Sequence, residues 1–252
     1  MLYKTKQRPE REMIFGTRAV IEAIRAGKNI EKILIRRDMN NALSRELYAS
    51  FGQEVIPVQK VPAEKLDRLT TKNHQGVVAF TSPVTYQHIT DIVPMLYEQG
   101  RVPFVVVLDN ITDVRNFGAI ARTCECAGVD AIVIGTVGSA AVNADAIKTS
   151  TGALMKIPVC REQNLAKTVT FLANSGLKPI AVTEKTDTNY TQPSYVEPVV
   201  LVFGAEDEGI SAEVLRLCSE RAAIPVFGNI QSLNVSVAAG ILMYEVVRQR
   251  KK

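Results

Sequence analysis

Histidine is scarce in this chain and cysteine sparse: two histidines and four cysteines stand among 252 residues. The cysteines are Cys124, Cys126, Cys160 and Cys218, and none forms a C-x-x-C pair. A zinc site is therefore not expected, and no metal is. Free thiols, partly buried, fit a cytoplasmic protein. No stretch approaches 18 uninterrupted apolar residues, so no membrane span is expected. The polar opening MLYKTKQRPEREM lacks the apolar core of a secretory signal. Two glycine loops are also missing. Without G-x-G-x-x-G after a strand, a dinucleotide-binding reading has no phosphate loop, and without G-x-x-x-x-G-K-[ST] a nucleotide hydrolase has none.

What is present suits a globular chain able to bury a core of its own, with 46% apolar and 22% charged residues. The net charge of +4 is unevenly spread. Residues 1–82 hold 15 Lys and Arg against 9 Asp and Glu, and residues 83–252 hold 15 against 17. A basic front segment is the electrostatic footprint of a module that contacts phosphates, although a solvated basic surface accounts for the charge equally well.

The hydrophobic pattern divides the chain. Residues 14–27 read as a helix with Gly27 at its end, 32–37 as a strand, 42–52 as a helix and 54–58 as a strand. A third helix follows at 62–70 and a third strand at 76–82. This predicts a small α/β domain over 12–82. Pro83 and Pro94 mark 83–102 as a linker with at most one short helix. From residue 103 to 252 nearly pure apolar runs at 104–109, 130–135, 177–183, 198–204 and 222–226 alternate with helical segments at 116–128, 143–150, 162–175, 211–219 and 234–250. That alternation predicts a mostly parallel sheet buried on both faces. Ligands of such sheets bind beyond the carboxyl ends of the strands.

Three segments stand at those ends. In LDNITDVRNFGAIARTCECAGV (108–129), Asn116 is a candidate N-cap, with Arg115 and Arg122 near the helix start, the end that favours anions. In VLVFGAEDEGIS (200–211), a strand runs into Gly204, where a ligand can approach the backbone, and Glu206 faces the same crevice. In IPVFGNIQSLNVSVAAGILMYEVVRQR (224–250), Ser232 and Asn234 are natural N-caps of a helix rich in small residues. Ordinary capping and tight turns account for each segment taken alone.

In this order the three segments resemble the motifs of the SpoU (TrmH-like) family of RNA 2′-O-ribose methyltransferases. The first motif is matched by Asn116, Gly118, Arg122, Ala127 and Gly128, and the second by Gly204, Glu206 and Gly209. The third is matched by Ile224, Pro225, Gly228 and the run Ser232 to Ala238. In front, IFGTRAVIEAI (14–24) and HQGVVA (74–79) resemble the substrate-binding domain of the 23S ribosomal RNA guanosine-2′-O-methyltransferase branch, a domain similar to small RNA-binding ribosomal proteins.

The resemblance implies a SPOUT-type catalytic domain with its C-terminal segment in a trefoil knot, a homodimer whose C-terminal helices lie near the interface, and a 23S ribosomal RNA substrate. It implies S-adenosylmethionine as methyl donor, its adenosine part held by backbone groups around Gly204, Ile224 and Leu233, with Thr183 nearby. Arg122 would act on the ribose hydroxyl. A guanidinium resists deprotonation, so orienting the hydroxyl and its phosphate suits Arg122 better than acting as the base. Asn116, Ser232 and Asn234 would position the ribose, Arg122 and the methionine part of the donor, and Glu206 would fix Arg122 or the knot loop. Arg18, Lys28, Arg36, Arg37 and Arg115 are candidate RNA contacts. Alternatives within the same resemblance are a transfer RNA substrate, an antibiotic-resistance methyltransferase, or a non-catalytic RNA-binding or ribosome-assembly protein on this scaffold.

Overall fold

A computed structural model describes residues 13–251. It divides into two compact units. One takes the described residues up to Thr85 with Val142–Ala144, and the other takes Tyr86–Ala141 and Asp145 onward.

The first unit runs β1 (Met13–Phe15), α1 (Thr17–Arg25), β2 (Ile30–Arg36), α2 (Ala42–Ala49), β3 (Val58–Val61), α3 (Ala63–Asp67) and β4 (Val77–Thr81). Its sheet has the order β1-β4-β2-β3. Val20, Ile21 and Ile24 of α1 and Leu47 of α2 pack on Ile33, Ile35, Val77 and Ala79 to form its main core. The helix expected from residue 14 begins only at Thr17. Residues 13–15 pair with β4 instead, and Gly16 turns the chain with φ 92. β3 starts at Val58, the last residue of the expected 54–58 run, because Pro57 has no N–H to give a ladder. Helix-compatible spacing at 14, 20, 21 and 24 does not reveal that break, because a short strand followed by a glycine turn leaves the same apolar positions.

The second unit runs β5 (Tyr86–Gln87), α4 (Ile89–Glu98), β6 (Phe104–Leu108), α5 (Val114–Ala127), β7 (Ala131–Gly135), α6 (Ala144–Thr149), β8 (Val159–Glu162), α7 (Leu165–Asn174), β9 (Lys178–Val182), β10 (Val199–Phe203), α8 (Ala212–Leu215), β11 (Glu220–Ala222) and α9 (Val235–Arg250). Seven strands pair in the order β11-β9-β10-β6-β7-β8-β5, every pair parallel. β6, β7 and β10 are buried along their whole length, as apolar runs in a two-sided sheet must be.

The segment 83–102, expected as a linker, is divided between the units. From Tyr86 it belongs to the second, where β5 joins the sheet edge and Ile89, Ile92, Val93 and Leu96 of α4 enter the core. Pro94 sits inside α4 without ending it, since burial of that apolar face outweighs one lost backbone hydrogen bond. The strand expected at 222–226 lies at 220–222. It is an edge strand paired on one side, so its charged ERA sequence is admissible. β8 was hidden for a related reason: it carries Arg161 and Glu162. Arg161 is buried with its guanidinium 3.7 Å from the centroid of the Tyr86 ring.

Candidate active site

Strand order reverses between β10 and β6, and the carboxyl ends of β9, β10 and β6 lie side by side there. The loop after β6 leads into α5. Asp113, not the expected Asn116, caps that helix: its Oδ1 accepts the N–H groups of Arg115 and Asn116 at 2.8 Å each. The Asn116 carboxamide is thereby free for other work. Arg122 lies over two turns further along α5, away from the expected N-terminus, on the same exposed face as Arg115. It makes no hydrogen bond or ion pair with any described residue.

After β10 the chain folds back on itself. Gly209 donates its N–H to the Ala205 carbonyl at 2.9 Å, closing a tight loop around Glu206. A side chain at Gly204 would place its Cβ 2.1 Å from the Gly209 carbonyl carbon and 2.2 Å from the Ile210 nitrogen. The protein's own backbone already requires glycine here, a constraint the sequence did not reveal. Below the loop, buried Asp109 at the end of β6 accepts the Ser211 N–H at 2.8 Å and so fixes the entrance to α8.

The third segment returns from edge strand β11 past the ends of β9 and β10 to the start of α9. Asn234 caps α9, its Oδ1 accepting the Ser236 N–H at 2.9 Å and its hydroxyl at 2.6 Å. Ser232 is not a cap and lies on the wall of the crevice.

Three carboxamide and carboxylate groups then join the segments. Asn116 Nδ2 donates to Glu206 Oε1 at 3.0 Å. Asn234 Nδ2 donates to the same oxygen at 2.7 Å and to Asn116 Oδ1 at 3.0 Å. Residues 90 and 118 positions apart thus form a closed triangle. Of the two expected partners of Glu206, Arg122 or the knot loop, Arg122 makes no bond to it; Glu206 accepts from the two asparagines instead, one of them in the third segment. Two of the three bonds carry the carboxylate's charge and are stronger than neutral ones.

Glu206 also borders a crevice of about 680 Å³, open mouth included. Thr183, Gly204, Ile224 and Leu233 all line it, as do Ser232 and Glu206. Asn116, Asn234 and Arg122 lie outside the lining. Sequence reasoning missed Glu184 and Gln231, which also line the crevice, and the two aspartates that hold the loops, Asp109 and Asp113. Asp113 had a legible signal, an acidic residue just ahead of a helix, overlooked because Asn116 fitted the same description.

In the first unit Arg18, Arg36 and Arg37 collect at one end of the sheet, where β1 and β2 finish and β4 begins; Lys28 lies at the other end of α1. All four are exposed. At the arginine end the His74–Gly76 turn is held by hydrogen bonds. The Gly76 N–H donates to His74 Nδ1 at 3.0 Å, which leaves Nε2 to carry the proton toward Asp67 Oδ1 at 2.9 Å.

Residues 103–244 match the model of the SpoU rRNA Methylase family, and residues 13–87 match that of the RNA 2′-O ribose methyltransferase substrate-binding domain. A Staphylococcus saprophyticus protein named for the TrmH family of tRNA/rRNA methyltransferases is 36% identical over 241 residues, covering 96% of this chain and 97% of that one. Among solved structures, an AdoMet-bound rRNA methyltransferase from Sinorhizobium meliloti is similar with a TM-score of 0.61 and 25% identity, covering 95% of this chain and 88% of that one. A TrmH/SpoU tRNA-modifying enzyme from A. aeolicus has a TM-score of 0.56 and 30% identity, and covers 64% of this chain and 84% of its own. With both family models matched in order and a relative 36% identical over nearly the full length of both chains, the chain belongs to the SpoU rRNA methylase family and is an RNA 2′-O-ribose methyltransferase.

Proposed function

We propose that this enzyme methylates a guanosine 2′-hydroxyl of 23S ribosomal RNA in the cytoplasm, as a homodimer with S-adenosylmethionine as donor. The carrying observation is the Asn116–Glu206–Asn234 triangle, which seats three distant segments against the rim of one crevice. The S. meliloti rRNA enzyme is similar over nearly the whole chain and the A. aeolicus tRNA enzyme over about two thirds of it, which supports the ribosomal reading over transfer RNA.

The lining of the crevice suits the donor's chemistry. Phe203, Ile210, Ile224 and Leu233 offer apolar walls for an adenine, while Thr183, Gln231 and Ser232 offer hydrogen bonds to the sugar and amino-acid parts. When bound, the donor supplies a methyl carbon already activated by its sulfonium. The return of the C-terminal segment past β9 and β10 supports its threading as a trefoil knot.

The protein's own groups align the nucleophile and exclude the wrong geometries. Asn116 and Asn234 hold Glu206 and the helix starts in place. Exposed Arg122, without a partner among the described residues, is available to a phosphate or ribose oxygen of the RNA. The arginine cluster of the first unit, Arg18, Arg36 and Arg37, supplies sequence-independent attraction to the backbone.

Mapping ribose methylation in ribosomal and transfer RNA, from cells with and without the gene, tests this reading. One 23S guanosine should lose its mark, and loss confined to transfer RNA would replace the proposed substrate. Arg122→Ala should reduce methyl transfer at least about 100-fold, the scale of a lost transition-state contact. Donor affinity measured by calorimetry should stay within twofold, and an equal fall would contradict the role given to Arg122.

A further inference from the structure

We propose that Glu206 is the proton acceptor of the reaction, taking the ribose 2′-hydroxyl proton on Oε2; this rests on the methyltransferase reading above. The two oxygens of this carboxylate have different surroundings. Oε1 takes both amide donors, from Asn116 and Asn234. Oε2 has no partner among the described residues. Because carboxylate oxygens diverge, fixing Oε1 by two bonds also fixes the direction of Oε2. A free acceptor is thus held still at the rim of the crevice that Glu206 lines.

The competing groups are poorly suited. A guanidinium offers donors and no acceptor, so Arg122 is chemically unsuited to taking a proton. The two histidines are elsewhere: His74 sits in the turn before β4 of the first unit, and His88 precedes α4, and neither lines the crevice. Glu184 is the other carboxylate on the crevice wall, but it stands at the end of β9 and makes no bond to the asparagine triangle.

A carboxylate is a weak base toward a resting alcohol, yet it suffices here. As the 2′-oxygen bonds to the methyl carbon, the carbon–sulfur bond breaks and its electron pair returns to sulfur. The oxygen gains positive charge during this step, its proton becomes strongly acidic, and Glu206 Oε2 accepts it before passing it to solvent. The positive sulfonium becomes a neutral thioether, the carboxylate becomes a neutral acid, and the released proton restores it.

Glu206→Gln separates this role from positioning. Glutamine keeps a carbonyl oxygen for the Asn116 and Asn234 donors and replaces the free oxygen with an NH₂ that cannot accept. The assay is single-turnover methyl transfer to 23S RNA purified from cells lacking the protein, with calorimetry for S-adenosylmethionine affinity alongside. The Gln variant should lose at least about 100-fold in rate, as general-base losses do, with donor affinity within twofold. Glu206→Ala should regain rate as formate is added. A Gln variant above a tenth of the wild-type rate, donor affinity falling in step with rate, or an Ala variant indifferent to formate would overturn the proposal. A wild-type chain that binds no donor would instead overturn the methyltransferase reading itself.

Discussion

At position 204 there is no room for a methyl group. The Cβ of an alanine would overlap backbone atoms of Gly209 and Ile210, which cannot swing aside as a flexible side chain does. Gly204→Ala should therefore cost about 3 kcal/mol, the upper range for overpacking, and open the loop that carries Glu206. Thermal melts and donor calorimetry check both parts; a variant with unchanged melting and unchanged donor affinity would show that the loop relaxes freely. Gly204, Glu206, Ile224, Ser232 and Leu233 of the crevice were legible from the sequence as ordered motif positions, while Glu184 and Gln231 were not. The bonding of the motif positions was not legible. Spacing along the chain says nothing about which partner lies 90 or 118 residues away, so it left Arg122 and the knot loop both open for Glu206 and did not reveal the asparagine triangle.

Helix α9 shows what one element contributes beyond its cap. Glu245, nearly buried, accepts from Arg248 Nε and Nη2 at 2.7 and 2.6 Å and from Gln249 Nε2 at 2.8 Å. Gln249 in turn accepts the Tyr195 N–H at 3.0 Å and donates to the Pro193 carbonyl at 3.1 Å, tying the loop before β10 to the helix. Arg248 holds the Glu245 carboxyl below its ordinary range; burial opposes this, and Gln249 adds to it. A depressed folded-state pKa contributes stability above the unfolded value, near 4.3, and that stability is lost as pH falls through the folded value. Glu245→Gln should melt lower than wild type at pH 7, with the gap narrowing on acidification below about pH 4; a gap constant with pH would deny the charge any part. Elements read from pattern succeeded where one rule governed. The fully buried runs of β6, β7 and β10 and the long α5 and α9 were found nearly in place. Failures came where a second constraint intervened: an edge strand free to carry charge in β11, a proline tolerated inside α4, and a glycine turn after three residues of β1.

On the scale of the whole molecule two surfaces await partners. The arginine end of the first unit predicts an RNA affinity that falls steeply with salt, and Arg18→Ala or Arg37→Ala should each flatten the slope of log K against log salt by about 0.7 to 0.9. Filter binding over a salt series checks it, and an unchanged slope would move the RNA elsewhere. The second surface is apolar. α9 buries Ala239, Leu242, Met243 and Val246 against its own unit, yet leaves Val237 and Tyr244, seven residues apart on one strip, each 51% exposed. Just ahead of the helix, Phe227 is 97% and Ile230 78% exposed. Large apolar side chains exposed both on this helix and in the loop before it suit contact with a second copy of the chain. Tyr244→Glu would put a charge into that contact, whose burial without a partner costs several kcal/mol. The wild-type chain should sediment as a dimer and the variant as a folded monomer with an unshifted circular dichroism spectrum. If RNA alone covers this strip, the wild type will sediment as a monomer and the variant will lose RNA affinity without any change in mass.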